Sequence, residues 1–316
     1  MFNFLARRFF SSIISVIGAT LAIFVLIQFH NDPRELFVPD SGYGISQEQW
    51  EALGDRLGLN DPLWKQYVDW VGRTLRGDLG VSLARDRAVT ELLRGKIGAT
   101  VQLAIGSWVF AIALGIPMGV LAAVKRGTLW DYIGRGLAIV GQAAPPFVTA
   151  LVAIWIFAVW LEWLPAGGRS PEFNWKEYIL PCTALGWGAA ASLMRLTRSS
   201  MLEVLDSEYI RLARAKGVNW NWVIYKHALR NALIVPVTSA LLTFSGWLNG
   251  ALVVEIVFSW PGIGYEALYR AVNDNDFPLL LGTVFIFILI YLVFATIADI
   301  AYTIIDPRVR IGDSSE

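Results

Sequence analysis

Long apolar runs separated by polar segments dominate this chain. An α-helix needs about 20 mostly apolar residues to cross the hydrocarbon core of a bilayer. Six segments reach that length: 9–29, 100–124, 133–161, 179–201, 232–258 and 279–305. The first follows Arg7-Arg8, as the apolar part of a secretory signal would, but it exceeds the about 7–15 residues of such a signal. We therefore predict an all-α, polytopic membrane protein with six transmembrane helices, the first of them uncleaved.

Composition supports a membrane protein and excludes several classes of function. Hydrophobic residues make up 55% of the 316 residues and charged residues 16%, whereas soluble domains carry about 25% charged residues. The formal net charge of +0 gives no reason to expect nucleic acid. A single cysteine, Cys182, excludes an internal disulfide, and the two histidines, His30 and His227, are far apart in sequence. We predict no metal site and no cofactor in this chain.

Lysine and arginine are distributed unevenly between the loops. With the N-terminus inside, the inner segments hold 14 of them and the short outer loops hold three. Cytoplasmic loops carry such an excess in membrane proteins. The other nine lie in the loop 30–98, which is longer than the about 60 residues to which this rule applies. Both termini, and the loop between the fourth and fifth spans, are predicted to be cytoplasmic.

Prolines interrupt three of the predicted spans. Pro117 lies in the second span, Pro145-Pro146 in the third and Pro236 in the fifth. Proline removes an amide donor, and in a membrane the freed carbonyls need protein or water as partners. Two interpretations stay open: these kinked spans line a pathway, or the kinks serve ordinary helix packing.

The outer loop 30–98 has helical signals of its own. Ser46 and Gln49 form a capping-box pattern at the start of a helix that stops at Gly58. Asp61-Pro62 then indicates a cap and a first-turn proline for a second amphipathic helix, which ends at Gly77. These helices are predicted either to lie at the membrane interface or pack against the helix bundle, or to help dock an extracytoplasmic partner.

Sequence signatures of catalysis and of self-powered transport are absent. The chain has no phosphate-binding glycine loop, no H-E-x-x-H zinc motif and no plausible Ser-His-Asp set. Glu255 and Asp299 are the only acidic candidates deep in the spans, and both lie within about two turns of a span end. A membrane enzyme or a self-contained secondary carrier is therefore the weaker alternative to a subunit driven by a partner.

The cytoplasmic loop between the fourth and fifth spans carries a distinctive segment, 208–217. Its residues favour a helix, and Gly217 provides the stop. Tyr209, Leu212 and Ala213 are predicted to share one face, from which the arginines of the segment stand out. A short helix then leads into the fifth span. The positive-inside rule explains the basic residues but not this helix–glycine–helix arrangement.

Several motifs resemble one family of permeases. Nine residues separate Gly217 from His227, and Asp306-Pro307-Arg308 closes the chain. Further matches are the Gly-Asp-Leu-Gly-Val-Ser run at 77–82 and the Val-Glu-Ile-Val-Phe-Ser-Trp-Pro-Gly-Ile-Gly run at 254–264. The chain resembles the transmembrane permease of a type I ABC importer, and within it the B-type subunit of dipeptide, oligopeptide and nickel systems. Where the broader importer consensus has Glu-Ala-Ala, this chain has Arg-Leu-Ala at 211–213, as the peptide branch does.

The resemblance implies a division of the chain and a set of partners. Residues 1–98 would form the first helix and outer loop, 99–306 the transmembrane core with a coupling segment at 203–231, and 307–316 a cytoplasmic tail. The partners would be a homologous C-type permease, two cytoplasmic ABC ATPases that bind ATP and Mg²⁺, an extracytoplasmic substrate-binding protein and membrane lipid. The location would be the cell membrane of a prokaryote.

Site residues follow from the same resemblance. The ATPase-coupling residues would be Tyr209, Ile210, Arg211, Leu212, Ala213, Arg214, Ala215, Lys216, Gly217 and His227. The outer gate or binding-protein contact would be Trp260, Pro261, Gly262, Ile263, Gly264 and Tyr265. Di- or oligopeptides are the expected substrate, with a nickel chelate, glutathione or an oligosaccharide as alternatives, because the binding protein sets most of the selectivity.

Overall fold

Helices account for nearly all of the regular structure in this protein. The computed structural model describes residues 2–28, 34, 46–244 and 247–305. The helices before the cytoplasmic loop are α1 Phe2–Gln28, α2 Gln47–Leu57, α3 Leu63–Thr74, α4 Val89–Leu93, α5 Lys96–Val124, α6 Leu129–Ala143, α7 Pro146–Ala153 with the π-helical Ile154–Trp160, and α8 Trp175–Leu205. After it come α9 Glu208–Ala215, α10 Trp220–Trp222, π-helical Val223–Ala228, α11 Leu229–Ala232, α12 Ile234–Phe244, α13 Trp247–Val257, π-helical Gly264–Tyr269, α14 Arg270–Asn273 and α15 Phe277–Ile305.

Four of the six predicted spans are long and apolar enough to cross a membrane in the described part of the chain. Three are the runs Val89–Val124, Trp175–Leu205 and Phe277–Ala301, and the fourth is the bent pair Leu129–Ala143 and Pro146–Trp160. The predicted first span contains a shorter apolar helix, Phe10–Leu26. The predicted fifth span is divided between α12 and α13. The helical, polytopic membrane class is therefore supported, with three to four candidate spans by length and composition.

The chain packs as two compact units. The first comprises Met1–Ala99 and Gly262–Leu292, and the second comprises Thr100–Pro261 and Val293–Glu316.

In the first unit, the outer-loop helices begin and end close to the predicted positions. The Ser46 hydroxyl accepts a hydrogen bond from the Gln49 amide, the Gln49 side chain accepts one from the Ser46 amide, and Gly58 ends α2 with φ 70°. The prediction that Asp61 caps α3 was wrong. Pro62 is the N-cap and receives no side-chain hydrogen bond, while the Asp61 carboxylate pairs with Lys65 at 2.9 Å.

Aromatic side chains hold α3 against α1 in this unit. The Tyr67 ring lies 5.4 Å from the Phe24 ring and 6.0 Å from the Trp70 ring, and the Tyr67 hydroxyl is 3.0 Å from the Thr20 hydroxyl. A second core forms where Leu79 and α4 meet the start of α15. Gly282 permits that approach, because a β-carbon there would lie 2.7 Å from a methyl group of Val89.

In the second unit, small residues allow α5, α6 and α8 to approach closely. A β-carbon on Gly115 or Gly119 would lie 2.6 Å from a backbone oxygen of α8, and one on Gly186 would lie 2.6 Å from a backbone oxygen of α5. Such contacts through small residues are the usual way in which membrane helices pack. At one end of these helices, the Arg198 guanidinium donates to both carboxylate oxygens of Asp131, at 2.7 and 3.0 Å.

The third predicted span is sharply bent. Its two parts, Leu129–Ala143 and Pro146–Trp160, meet at an angle of 112°. Because neither Pro145 nor Pro146 can donate to the turn before it, the helix breaks at this pair. The proline interruption predicted from the sequence is therefore confirmed as a change of direction rather than a gentle kink.

Candidate functional site

The predicted coupling segment is a short helix with a glycine stop. Helix α9 runs from Glu208 to Ala215, and Gly217 follows it in the left-handed conformation, with φ 77°. The Gly217 amide donates to the Arg214 carbonyl at 2.9 Å, and the Val218 amide donates to the Ala213 carbonyl at 3.3 Å. Bonds of this kind satisfy the last carbonyls of a helix and turn the chain sharply. Gly217 therefore fixes where α9 ends.

The two sides of α9 have different roles. Ile210 is 1% exposed and packs with Met201 and Ile224 in a cluster of apolar residues. Tyr209 and Leu212 are 43% and 57% exposed, so the apolar side chains predicted to face a partner are accessible in this chain. Ile210 was listed among the coupling residues from the sequence, but its side chain anchors the helix from inside.

Asn231 connects α9 to the second motif of the loop. Its amide nitrogen donates to the Tyr209 hydroxyl at 2.9 Å and to the His227 carbonyl at 3.4 Å. His227 itself lies in the π-helical stretch Val223–Ala228 and is half-buried. The structure thus brings together the two motifs that the sequence separates by nine residues.

Basic and aromatic side chains alternate on the surface around α9. The Arg214 guanidinium lies 5.2 Å from the centre of the Trp220 ring, and the Lys226 ammonium lies 4.8 Å from that of Trp222. The Arg211 guanidinium is 2.8 Å from the Glu208 carboxylate, and both side chains are largely exposed. An exposed short helix with apolar and basic side chains is suited to lie in a groove of a partner protein.

The predicted outer-gate segment is mostly buried within the chain. Trp260 and Ile263 are fully buried, and the flanking Gly262 and Gly264 are buried as well. The Trp260 ring packs edge-on against the Tyr178 ring, with centroids 4.9 Å apart. Pro261 and Tyr265 are half-buried. As placed here, only part of this segment is accessible to a partner.

The prolines predicted to line a pathway do not lie at one common site. Pro145 and Pro146 line a cavity of about 400 Å³ together with small residues of α8. Pro117 lies inside α5, which continues through it, and Pro236 is the third residue of α12 just after the break at Leu233. Neither of these two lines the cavity.

One polar cluster escaped sequence analysis. Asp276 is fully buried, and its carboxylate accepts hydrogen bonds from the Ser82 hydroxyl and, at 3.2 Å each, from the Leu83 and Leu279 amides. The bond to Leu279 caps the N-terminus of α15. An aspartate just before an apolar run is a sequence signal for such a cap. The hydrogen bond from Ser82 to Asp276 joins residues 194 positions apart, and no local sequence pattern predicts it.

Comparison with known proteins assigns this chain to a family. The model of the binding-protein-dependent transport system inner membrane component matches residues 115–311, and the model of its N-terminal part matches residues 1–104. A putative peptide permease of Brucella suis is 36% identical over 98% of this chain and 100% of its own length. A dipeptide transport system permease of Alkalihalophilus pseudofirmus is 37% identical, and a glutathione transport system permease of Escherichia coli K12 is 34% identical, each over 98% of this chain.

The fold is also found among solved transporters. An inward-facing structure of the MetNI methionine ABC transporter matches 68% of this chain and 96% of its own chain, with a TM-score of 0.56 and 18% identity. At that identity the match concerns the fold alone.

Fold and motifs together define a membrane subunit of a transport complex. The chain belongs to the family of binding-protein-dependent transport system inner membrane components. It is a non-catalytic, multi-pass permease of the inner membrane, and permeases of this family act with an ATPase and a binding protein. Within the described residues there is no group of three or more His, Cys, Asp or Glu side chains arranged to hold a metal ion.

Proposed function

We propose that this chain forms half of the pathway of a peptide importer and pairs with a homologous C-type permease. Two cytoplasmic ABC ATPases drive the complex, and an extracytoplasmic binding protein delivers di- or oligopeptides to it. The names of the relatives, which include peptide, dipeptide and glutathione permeases, support this substrate class. The chain crosses the membrane six times, with both termini in the cytoplasm.

The observation that carries the coupling role is the division of α9 into two sides. Ile210 fixes the helix to the chain's own core, while Tyr209 and Leu212 remain exposed beside basic side chains. Such a helix is firmly held and still offers apolar surface, as a helix seated in a partner's groove requires. Residues 208–217 are therefore proposed to contact one ATPase and to transmit its closure to the spans.

Uptake measurements test the substrate class. Cells that lack their own peptide permeases, and that carry this permease with its partner subunits, should accumulate radiolabelled dialanine and trialanine. Glutathione belongs in the same panel, because relatives carry that name. If neither peptide nor glutathione accumulates while the complex assembles and hydrolyses ATP, the proposed substrate class is wrong.

Substitution of Gly217 tests the coupling segment. Gly217→Val places a β-branched residue at φ 77°, where no neighbouring atom would clash with a β-carbon, so the cost is the backbone strain of about 1–2 kcal/mol. We expect this variant to insert normally and to lose transport. Gly217→Asn is the matched control, because asparagine tolerates the left-handed conformation, and it should retain most of the uptake. Equal uptake by both variants would remove the coupling role from this turn.

A further inference from the structure

The bend in the third span leaves backbone acceptors without donors. In a continuous helix the carbonyls of residues 141 and 142 would receive the amides of residues 145 and 146, but both of those are prolines. The Ala144 amide makes the last regular bond of α6, to the Val140 carbonyl. Within the described residues, no hydrogen bond joins any donor to the carbonyls of Gly141, Gln142 and Ala143.

The residues that carry these carbonyls line a cavity. The cavity of about 400 Å³ is lined by the whole bend, residues 141–146, and by small residues of α8. A β-carbon at Gly188, which also lines it, would lie 3.4 Å from the Gly141 carbonyl oxygen. Gly188 therefore places the backbone of α8 close to that oxygen. Gln142 and Ser192 add polar side chains to the same wall.

The depth of the bend makes these acceptors significant. Pro145 lies near the middle of the predicted span 133–161, where exposed backbone carbonyls cannot face lipid. Non-helical backbone at this depth is tolerated where protein covers it or where it lines a water-filled cavity. In secondary transporters, helices interrupted near the midplane form the substrate site, and their freed backbone carbonyls coordinate cations.

We infer that this cavity binds the backbone of a peptide in transit, with the carbonyls of 141–143 accepting its N–H groups. The inference rests on the proposed function and adds the binding site to it. Three adjacent acceptors suit a ligand with a row of donors and no required side chain. The C-terminal end of α6 is also the negative end of its dipole, which favours a peptide's ammonium terminus. The small residues of α8 that line the cavity leave room for varied peptide side chains.

Cysteine protection in the assembled importer tests the site. Ser192→Cys places a thiol in the cavity, and the native Cys182 is buried at 7% exposure, so it gives a low background. A charged methanethiosulfonate reagent should label Ser192→Cys, because the cavity is reached by water. Trialanine should slow this labelling, and trialanine methylated on its amide nitrogens should not. At about ten times its dissociation constant, trialanine should slow labelling roughly tenfold.

Ser199→Cys is the matched control. Ser199 is exposed on the same helix, two turns along, and does not line the cavity. Its labelling should be the same with and without either peptide. The binding protein is left out, so any discrimination between the two peptides belongs to the permease.

The outcomes separate this inference from the proposed function. Failure of Ser192→Cys to react would show that the partner permease or lipid covers the cavity, and it would overturn the inference even if peptides are imported. Equal protection by both trialanine probes, or by neither, would overturn it as well. Absence of peptide uptake by the unmodified importer would instead refute the proposed substrate class.

Discussion

Replacing Asp276 should loosen the first unit. Asp276→Ala removes the acceptor for the Ser82 hydroxyl and for the Leu83 and Leu279 amides. Leu279 is fully buried and Ser82 is 1% exposed, so water does not replace the lost bonds without rearrangement. A buried donor left without an acceptor costs about 1–3 kcal/mol, so two or three of them should cost about 3–5 kcal/mol. Few single substitutions reach that range.

Thermal unfolding of the detergent-purified importer measures this cost. For a domain of about 150–250 residues, 1 kcal/mol corresponds to about 2–4 °C in Tm, so we expect Asp276→Ala to lower Tm by about 10 °C. Asp274→Asn is the control two residues away. Its pair with Arg85 spans 3.1 Å, and the two side chains are 42% and 24% exposed, so its loss should cost no more than about 1 kcal/mol. Equal shifts for the two variants would refute the argument that burial decides the cost.

Three further substitutions test other parts of the structure. Arg198→Ala removes the bidentate partner of the Asp131 carboxylate, which is 2% exposed. Arg135 remains 3.5 Å from that carboxylate, so the change should cost about 1.5–3 kcal/mol in thermal unfolding and be partly recovered by Asp131→Ala in the same chain. Gly282→Val forces a side chain into a space where a β-carbon is already 2.7 Å from a valine methyl group, so overpacking should cost about 1–3 kcal/mol in the same assay. Tyr209→Phe loses only the 2.9 Å bond from Asn231 and should change uptake little, whereas Tyr209→Asp should abolish uptake.

Local signals in the sequence predicted the local structure well. The capping box at Ser46 and the stop at Gly58 are both present, because each depends on residues within a few positions of one another. The break at Pro145-Pro146 was also predictable, since proline acts on the turn that precedes it. The stop at Gly217 has the same local origin.

Choices between competing local partners were less predictable. Asp61 had the sequence position of a helix cap, yet its carboxylate pairs with Lys65 in the structure. Similarly, periodicity placed Tyr209, Leu212 and Ala213 of α9 on one face but did not show that Ile210, outside that face, is buried in the chain's own core. That burial depends on what packs against the helix, and Ile224 and Met201 come from other segments of the chain.

Long-range polar contacts were beyond sequence reasoning. The bond between Ser82 and Asp276 joins residues 194 positions apart, and that between Thr100 and Glu255 joins residues 155 apart, with the Thr100 hydroxyl donating at 2.6 Å. From the sequence, Glu255 lies within about two turns of a span end, where snorkelling or water can serve a charge. In the structure it is fully buried, so protein groups serve it instead.

The packing beneath α9 indicates how a push on this helix would reach the membrane. The cluster around Ile210 includes Ala123 from the end of α5 and Met201 from near the end of α8, with Ala232 from α11. A close-packed interior transmits displacement because it has little free volume to absorb it. On the proposed function, an ATPase that moves the exposed side of α9 therefore moves the ends of several spans together. A helix fixed only by its flanking loops would be free to turn in place, whereas α9 is tied by the buried Ile210 and by the bond between Asn231 and Tyr209.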